Sequence, residues 1–177
     1  MTAGAAPVMR IAILGAESTG KSTLAQALAA RHDTVWVPEY LREFVDTEQR
    51  VPHEEDQLGI ARTQLAREQA LLPRARRLLV CDTAPLLTAV YSRIYWGRVP
   101  PALLALEAEH DYALTFVADI DLPWVPDGLQ RESETVRRRV HACLLEVLAE
   151  HGIAFTLLSG DLAQRVRQVE DAIGPPS

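Results

Sequence analysis

The sequence predicts an α/β fold, a three-layer sandwich built on a central, mainly parallel sheet of five strands. Five short apolar segments alternate with segments of helical period along the 177 residues, and this alternation produces parallel strands joined by right-handed crossovers. A glycine-bounded loop follows the first strand, and carboxylates follow the next three. The length suits one domain with one core. We therefore assign residues 1–177 to a single domain whose residues 1–8 form a flexible N-terminal segment.

The predicted strands are short runs of apolar and β-branched residues, typical of strands that are buried on both faces. They occupy Met9–Leu14, residues 34–37, Leu78–Asp82, residues 112–118 and residues 153–158. A proline and a carboxylate follow the second run, and the third run itself ends in a carboxylate.

Helices are predicted between these strands because helix-forming residues fill the intervening segments. They cover residues 23–30, 40–47, 54–72, 85–96, 100–110, 133–151 and 161–173. In the third of them, Leu58, Ala61 and Leu65 follow one another at intervals of three and four residues, which is the period of one helix face. Gly97 and Gly152 are predicted to end two of the helices.

The segment from Gly15 to Ser22 fits the pattern G-x-x-x-x-G-K-[ST] at every position. It lies between a predicted strand and a predicted helix, where glycines let the backbone wrap around an anion and the helix N-terminus points at phosphate. Lys21 is expected to reach the terminal phosphates, and the Ser22 hydroxyl is expected to bind Mg²⁺. The sequence therefore predicts that this phosphate loop binds a nucleoside triphosphate.

The residues predicted to bind ATP are Gly15, Glu17, Ser18, Thr19, Gly20, Lys21, Ser22 and Thr23.

Carboxylates follow the second, third and fourth predicted strands: Glu39, Asp82, and Asp119 with Asp121. Ligands of parallel α/β sheets bind outside the carboxyl ends of the strands, and carboxylates there suit Mg²⁺-dependent phosphoryl transfer. We predict that Asp82 holds the metal together with Ser22, or acts as a base. Asp82 could also cap the helix that follows it. Asp119 and Asp121 are more typical of loop residues around a site than of direct contacts.

Glu39 is the second candidate base, because the end of the second strand faces the phosphate loop across the expected cleft. The alternative is a capping carboxylate paired with Arg42. We predict that Glu39, Asp82 and Lys21 are catalytic.

Aromatic residues concentrate in segments that leave the carboxyl edge of the sheet. They are Tyr40, Tyr91, Tyr95, Trp96 and Trp124. One or two of these rings are expected to stack on a base.

Four arginines follow the loop that begins near Leu122: Arg131, Arg137, Arg138 and Arg139. A mobile lid that carries arginine over the transferring phosphoryl group offsets its charge. A solvated helix face is the alternative and covers at least two of the four.

Composition narrows the class of protein. The net charge of −6 argues against a protein that coats nucleic acid. No apolar stretch approaches the roughly 20 residues of a membrane span, and residues 1–7 lack the basic start of a signal peptide. We therefore expect a cytoplasmic protein whose partner is a small molecule, with no nucleic acid and no membrane. The sequence predicts no particular oligomeric state.

Four motifs, in order and spacing, resemble the ribosylnicotinamide kinase domain of NadR-type proteins, in the P-loop NTPase superfamily. They are the phosphate loop, Pro38-Glu39-Tyr40-x-Arg42-Glu43, Cys81-Asp82-Thr83 and Pro123-Trp124-Val125-Pro126-Asp127-Gly128. The resemblance runs from about residue 9 onward. It implies a nucleoside-kinase-like fold and transfer of phosphate from ATP, with Mg²⁺, to the 5′-hydroxyl of nicotinamide riboside. The products would be nicotinamide mononucleotide and ADP, in NAD salvage.

The resemblance also implies roles for individual residues. Asp82 would lie near the acceptor hydroxyl and the metal, and Glu39, Tyr40 and Arg42 would shape the riboside side.

The segment from Trp124 to Arg131 would form the lid, with Trp124 and Asp127 at the substrate and Arg131 catalytic. The family's lid usually has the order Asp-Gly-x-Arg, whereas here Gln130 takes the arginine's place and Arg131 follows it. Family members also carry a DNA-binding segment and an adenylyltransferase domain, and neither activity is expected of this chain.

Two other functions fit the same residues. A kinase of another nucleoside or small hydroxyl compound keeps the fold and changes the acceptor, because acceptor choice depends on the shape of the pocket. A nucleotide-dependent switch or ATPase module would use the phosphate loop with no small-molecule acceptor.

Overall fold

Five parallel strands form the central sheet of the computed structural model, which describes residues 6–126 and 133–176. They are β1 (Met9–Leu14), β2 (Trp36–Val37), β3 (Leu78–Asp82), β4 (Leu114–Ala118) and β5 (Thr156–Leu158). Their order across the sheet is β2-β3-β1-β4-β5, and each neighbouring pair is parallel. The predicted α/β fold is therefore confirmed.

Helices connect the strands within the described ranges. They are α1 (Lys21–Arg31), α2 (Tyr40–Glu48), α3 (Gln57–Leu71), α4 (Pro85–Trp96), α5 (Pro101–Ala108), α6 (Glu134–Glu150) and α7 (Leu162–Ile173). Short 3-10 turns at Glu54–Asp56 and Leu72–Arg74 flank α3. The predicted helices are all present, and α1 begins two residues earlier than predicted.

Apolar side chains cover both faces of the sheet and produce three layers. Ile11 and Ile13 of β1 pack with buried residues of α1 and α7 on one face. Ala12 and Leu14 pack with buried residues of α4 and α6 on the other. Successive strand residues point to opposite faces, so the continuous apolar run of β1 matches a strand that is buried on both sides.

Three strands begin later than predicted, at residues 36, 114 and 156 rather than 34, 112 and 153. In two cases the backbone first turns back on the preceding helix: the Thr34 N–H donates to Ala29 O at 2.9 Å, and the Ile153 N–H donates to Leu148 O at 2.9 Å. Helix C-termini have carbonyls that need donors, so these residues complete a helix end instead of a strand pair.

A buried ionic cluster joins three helices away from the carboxyl edge of the sheet. Glu107 of α5 is 2% exposed, accepts two hydrogen bonds from the Arg93 guanidinium of α4, and lies 2.7 Å from His151 Nε2 after α6. Burial alone would raise the pKa of Glu107, but the hydrogen bonds from Arg93 and His151 outweigh it, so the pKa lies below its ordinary value. The ionised carboxylate is therefore the form that stabilises this cluster.

Replacing Glu107 with glutamine is expected to lower the free energy of unfolding at pH 7 by about 1–3 kcal/mol, because a charged hydrogen-bond acceptor is lost. A depressed carboxyl pKa contributes stability that is fully present above the ordinary value of 4.5 and is lost as the pH falls through the folded-state pKa. Urea unfolding of wild type and Glu107→Gln at pH 7 and at progressively lower pH should show the difference shrinking. A difference that stays constant with pH would contradict this account.

Candidate active site

The phosphate loop connects the end of β1 to the start of α1. Gly20 has a φ of +80°, a conformation that favours glycine, and turns the chain into the helix. Gly15 passes close to β4, where an added Cβ would lie 3.2 Å from the Ala118 Cβ. Lys21 and Ser22 therefore open a helix whose first N–H groups have no intrahelical acceptor, which is the arrangement that binds phosphate.

Two buried arginines hold the carbonyl groups of this loop from behind. Arg165 of α7 donates from Nη1 to Thr19 O at 2.5 Å, and Arg137 of α6 donates to Ser18 O at 3.3 Å and to Leu122 O at 2.9 Å. Both residues are 2% exposed. In a trans peptide the N–H points away from the carbonyl, so these contacts help to orient the loop's N–H groups.

The arginines predicted as lid residues therefore differ in their surroundings. Arg137 is buried against the phosphate loop, and the exposed Arg138 pairs with Glu134 at 3.3 Å, as the alternative of a solvated helix face expected. Arg131 lies outside the described residues, and its role in a lid stays a prediction. Arg165 was not predicted, because its partner Thr19 is 146 positions away in the sequence.

Four predicted residues come together beside the loop. The Ser22 hydroxyl donates to Asp82 Oδ2 at 2.6 Å, and Lys21 Nζ lies 3.9 Å from Glu39 Oε2. Asp82 is fully buried. Burial and then the negative charge of Glu39 raise the pKa of Asp82 to about 6, although Lys21 and the Ser22 hydrogen bond act in the opposite direction.

A helix-capping role was the alternative for both Asp82 and Glu39, and the structure distinguishes the two residues. Ala84 is the N-cap residue of α4, and Asp82 bonds to Ser22 instead, so the capping role predicted as an alternative for Asp82 is wrong. Glu39 does occupy the N-cap position of α2, but its side chain makes no capping hydrogen bond there and faces Lys21.

The oxygens of Ser22 and Asp82 fit a magnesium ion. Asp82 Oδ1 is buried and has no hydrogen-bond partner among the described residues, and hard oxygen ligands are those that Mg²⁺ prefers. Within residues 6–126 and 133–176, no cluster of three or more His, Cys, Asp or Glu residues is arranged to hold a metal on its own. Mg²⁺ sites commonly combine one or two protein oxygens with oxygens of substrate phosphates.

A cleft of about 450 Å³ opens beside these residues. Phosphate-loop residues 17–22 line it together with Thr23, Glu39, Leu41, Arg42, Val45, Val51, Pro52, Gln57, Tyr91, Tyr95 and Trp96. The rings of Tyr91 and Tyr95 are stacked with their centroids 6.1 Å apart, and the Trp96 ring is 5.8 Å from Tyr95. Three of the five aromatic residues predicted near a base therefore line the cleft.

The cleft also has an apolar wall that was not predicted, formed by Leu41, Val45, Val51 and Pro52. The available signal was the spacing of Leu41 and Val45, which lie four residues apart on α2 directly after Glu39 and so share one helix face.

The other two predicted aromatic residues, Tyr40 and Trp124, are not among the residues that line the cleft. The Tyr40 ring packs edge-on to Phe44 with 6.4 Å between centroids and lies 4.8 Å from the Arg67 guanidinium carbon. Trp124 is half-buried in the segment after β4. The carbonyl oxygen of the next residue, Val125, accepts a hydrogen bond from the Ser18 hydroxyl at 2.8 Å. Contact of either residue with substrate stays a prediction.

The two aspartates after β4 bond to neighbouring protein groups. Asp121 accepts from Arg165 at 2.5 Å and from the Gly160 N–H at 2.6 Å, and Asp119 accepts from the Ile120 N–H at 2.8 Å. The expectation that they act around the site fits these contacts. Asp127, the other predicted substrate-binding residue of this segment, lies outside the described residues.

None of the helices in the described part of the chain combines the length and apolarity that crossing a bilayer requires.

The chain has clear sequence relatives. The family model "AAA domain" (AAA_28) matches residues 10–165. The trifunctional NAD biosynthesis/regulator protein NadR of Salmonella typhimurium is 32% identical over 155 residues, and the Escherichia coli protein of the same name is 31% identical over 153 residues. Each match covers 84% of this chain and 37% of the relative, so the chain spans little more than a third of these relatives.

Solved structures share the fold. A NadR protein in complex with NAD and AMP-PNP superposes with a TM-score of 0.80 at 22% identity, over 96% of this chain and 51% of that one. A NadR protein in complex with NR gives 0.81 at 21% identity, over 94% and 50%. Thymidylate kinase from Candida albicans gives 0.67 at 14% identity, over 94% and 91%. By its family match the chain belongs to the AAA_28 family of AAA domains, and the predicted resemblance to NadR-type proteins is confirmed.

Proposed function

We propose that this chain transfers a phosphoryl group from ATP, with Mg²⁺, to the 5′-hydroxyl of nicotinamide riboside, giving nicotinamide mononucleotide and ADP in NAD salvage. The observation that carries the proposal is a single cleft lined by the phosphate loop, by Glu39 and by aromatic and apolar side chains, beside the Ser22–Asp82 contact. Phosphoryl transfer needs donor and acceptor held side by side. The names of the NadR relatives and the NR complex support this choice of acceptor.

The lining of the cleft suits a flat, positively charged ring. Tyr91, Tyr95 and Trp96 offer aromatic faces to which cations are attracted, and Glu39 adds a negative charge beside them. Nicotinamide riboside carries its positive charge on the ring, so both features favour it over a neutral base.

The residues divide the chemistry between them. Lys21 would leave its 3.9 Å contact with Glu39 to bind the terminal phosphates, and the freed carboxylate of Glu39 would then be available to the acceptor hydroxyl. Ser22 and Asp82 would hold Mg²⁺, which when bound neutralises charge on the phosphate oxygens. Either Glu39 or Asp82 accepts the hydroxyl proton.

A kinase of another nucleoside or nucleotide is the second candidate. The thymidylate kinase of Candida albicans and the deoxyadenosine kinase of M.mycoides share this fold, so the architecture admits other acceptors. An ATPase module without a small-molecule acceptor is the third. The cytoplasmic location and the lack of a nucleic-acid partner stay predictions.

ADP formation from Mg-ATP with a panel of nucleosides led by nicotinamide riboside tests the proposal. We expect strong stimulation by nicotinamide riboside, with its mononucleotide as product, and no phosphoryl transfer by Lys21→Ala, because the phosphates lose their cation. Circular dichroism should show that the variant is folded.

Each other result selects a different function. Stimulation by another nucleoside would keep the mechanism and replace the acceptor, and ATP hydrolysis that no nucleoside affects would favour the ATPase module. Normal turnover by a folded Lys21→Ala would overturn phosphoryl transfer at this loop.

Asp82→Asn is expected to lower kcat by about 100- to 1,000-fold, the scale of losing one group that stabilises transition-state charge. The amide can still accept the Ser22 hydrogen bond but has lost the charge that binds metal. The raised pKa of Asp82 shows that burial opposes its ionised form, so the melting temperature of the metal-free variant should be no lower than that of the wild type. A loss of stability with normal kcat would reassign Asp82 to a structural role.

Arg131→Ala is expected to lower kcat more than it weakens ATP binding, because a lid arginine acts on charge that develops during transfer. Arg138→Ala is the matched control, since Arg138 is exposed and pairs with Glu134. Steady-state kinetics of both variants and ATP titrations make the comparison. Equal rates for the two variants would remove Arg131 from the lid.

A further inference from the structure

Gln64 of α3 is a buried amide, 2% exposed, that joins the ends of two strands. Its Oε1 accepts from the Tyr40 N–H at 2.8 Å. Its Nε2 donates to Pro38 O at 3.1 Å and to Asp82 O at 3.4 Å. The Gln64 amide therefore bonds to main-chain groups just after β2 and at the last residue of β3.

The Gln64 hydrogen bonds lie just beyond the point where the backbone pairing of β2 with β3 ends. The β2–β3 pairing consists of Trp36 with Val80 and Val37 with Cys81, and it stops just before the two carboxylates. Pro38 has no N–H, so a further rung cannot use it as a donor. The Gln64 side chain replaces that rung and continues the connection between the strands by one residue.

Both peptide groups of Glu39 are held by this one side chain. Pro38 O belongs to the peptide before Glu39, and the Tyr40 N–H belongs to the peptide after it. The direction in which the Glu39 side chain leaves the backbone is therefore fixed by the Gln64 amide.

The third contact restrains Asp82 in a strained stretch of backbone. Thr83 has a φ of +81°, which is unusual and strained for a β-branched residue. The peptide between Asp82 and Thr83 is held from both sides, because the Thr83 N–H donates to Ile13 O at 3.0 Å and Gln64 donates to Asp82 O. Without Gln64, one of these two restraints is gone.

We propose that Gln64 is a positioning residue, which sets the relative placement of the Glu39 and Asp82 carboxylates for phosphoryl transfer. This inference rests on the proposed function. Gln64 contacts the ends of β2 and β3, whereas the carbonyls of the phosphate loop are held by Arg137 and Arg165 from other helices. Loss of the Gln64 amide therefore affects turnover and leaves nucleotide affinity nearly unchanged.

Gln64→Met tests this, because methionine keeps the length of the side chain and removes the amide. Its kcat with the best acceptor is expected to fall about 10- to 100-fold, the scale of a small misplacement of reacting groups, while the KM for ATP stays close to wild type. The control is Glu107→Gln, which alters a buried hydrogen-bonded cluster outside the cleft and should keep its kcat. Rates are measured at a temperature at which circular dichroism shows every protein folded.

Gln64→Glu is the second variant. It retains an acceptor for the Tyr40 N–H but has no N–H to donate to the Pro38 and Asp82 carbonyls, so its kcat should also fall. Crystal structures of wild type and variant give a readout that needs no substrate, and they should show the Glu39 and Asp82 carboxylates in altered relative positions.

The possible outcomes separate this inference from the proposed function. A wild type that phosphorylates no acceptor refutes the proposed function, and the crystal structures then decide the positioning role alone. A wild-type kcat in folded Gln64→Met, an equal kcat loss in Glu107→Gln, or unmoved carboxylates would overturn the inference. If neither Gln64 variant folds while Glu107→Gln does, the inference is also overturned, because Gln64 is then needed for the stability of the sheet.

Discussion

The register of β1 against β3 is the constraint on which the site depends. Ile13 pairs with Asp82, so the chain leaves β1 for the phosphate loop beside the point where β3 ends in its carboxylate. Ser22, the last residue of the phosphate loop, donates to Asp82 Oδ2 at 2.6 Å. A shift by one residue would exchange the two faces of β1 and would place an apolar Cys81 where the carboxylate now stands.

Buried polar side chains hold the main chain of the site where the hydrogen bonds of the sheet end. Arg165 and Arg137 hold the phosphate loop on the side of β4, and Gln64 holds the carboxylate-bearing ends on the side of β2. Leaving such groups without partners in the interior costs about 1–3 kcal/mol each, so each is directed at main-chain atoms that the ladders leave free. The site is thereby held on both sides by groups that themselves do not line the cleft.

Local patterns predicted the parts of this arrangement that are local in sequence. The strand and helix around the phosphate loop, the place of Asp82 at the end of β3, and the alternation of strands and helices each depend on a few neighbouring residues. The structure has all three where the sequence predicts them. The roles of Arg165 and Gln64 were not predicted. Arg165 reaches Thr19 across 146 positions, and Gln64 reaches Tyr40 and Asp82 across 24 and 18, so no local spacing marks either residue. The late starts of β2 and β5 also escaped prediction, since they depend on hydrogen bonds to the preceding helices.

The charges around the cleft bear on the proposed pairing of metal and nucleotide. Lys21 is buried and lies 3.9 Å from Glu39. Burial and then the charge of Glu39 raise the pKa of Asp82, whereas the charges of Lys21 and Arg42 act in the opposite direction. ATP without a metal would add negative charge beside Asp82, whereas a divalent cation at Ser22 and Asp82 offsets both. Under the proposed function, the same carboxylates would oppose free ATP and attract the cationic ring of the acceptor. The charges around the cleft are therefore consistent with the proposed use of a metal-bound nucleotide and a positively charged acceptor.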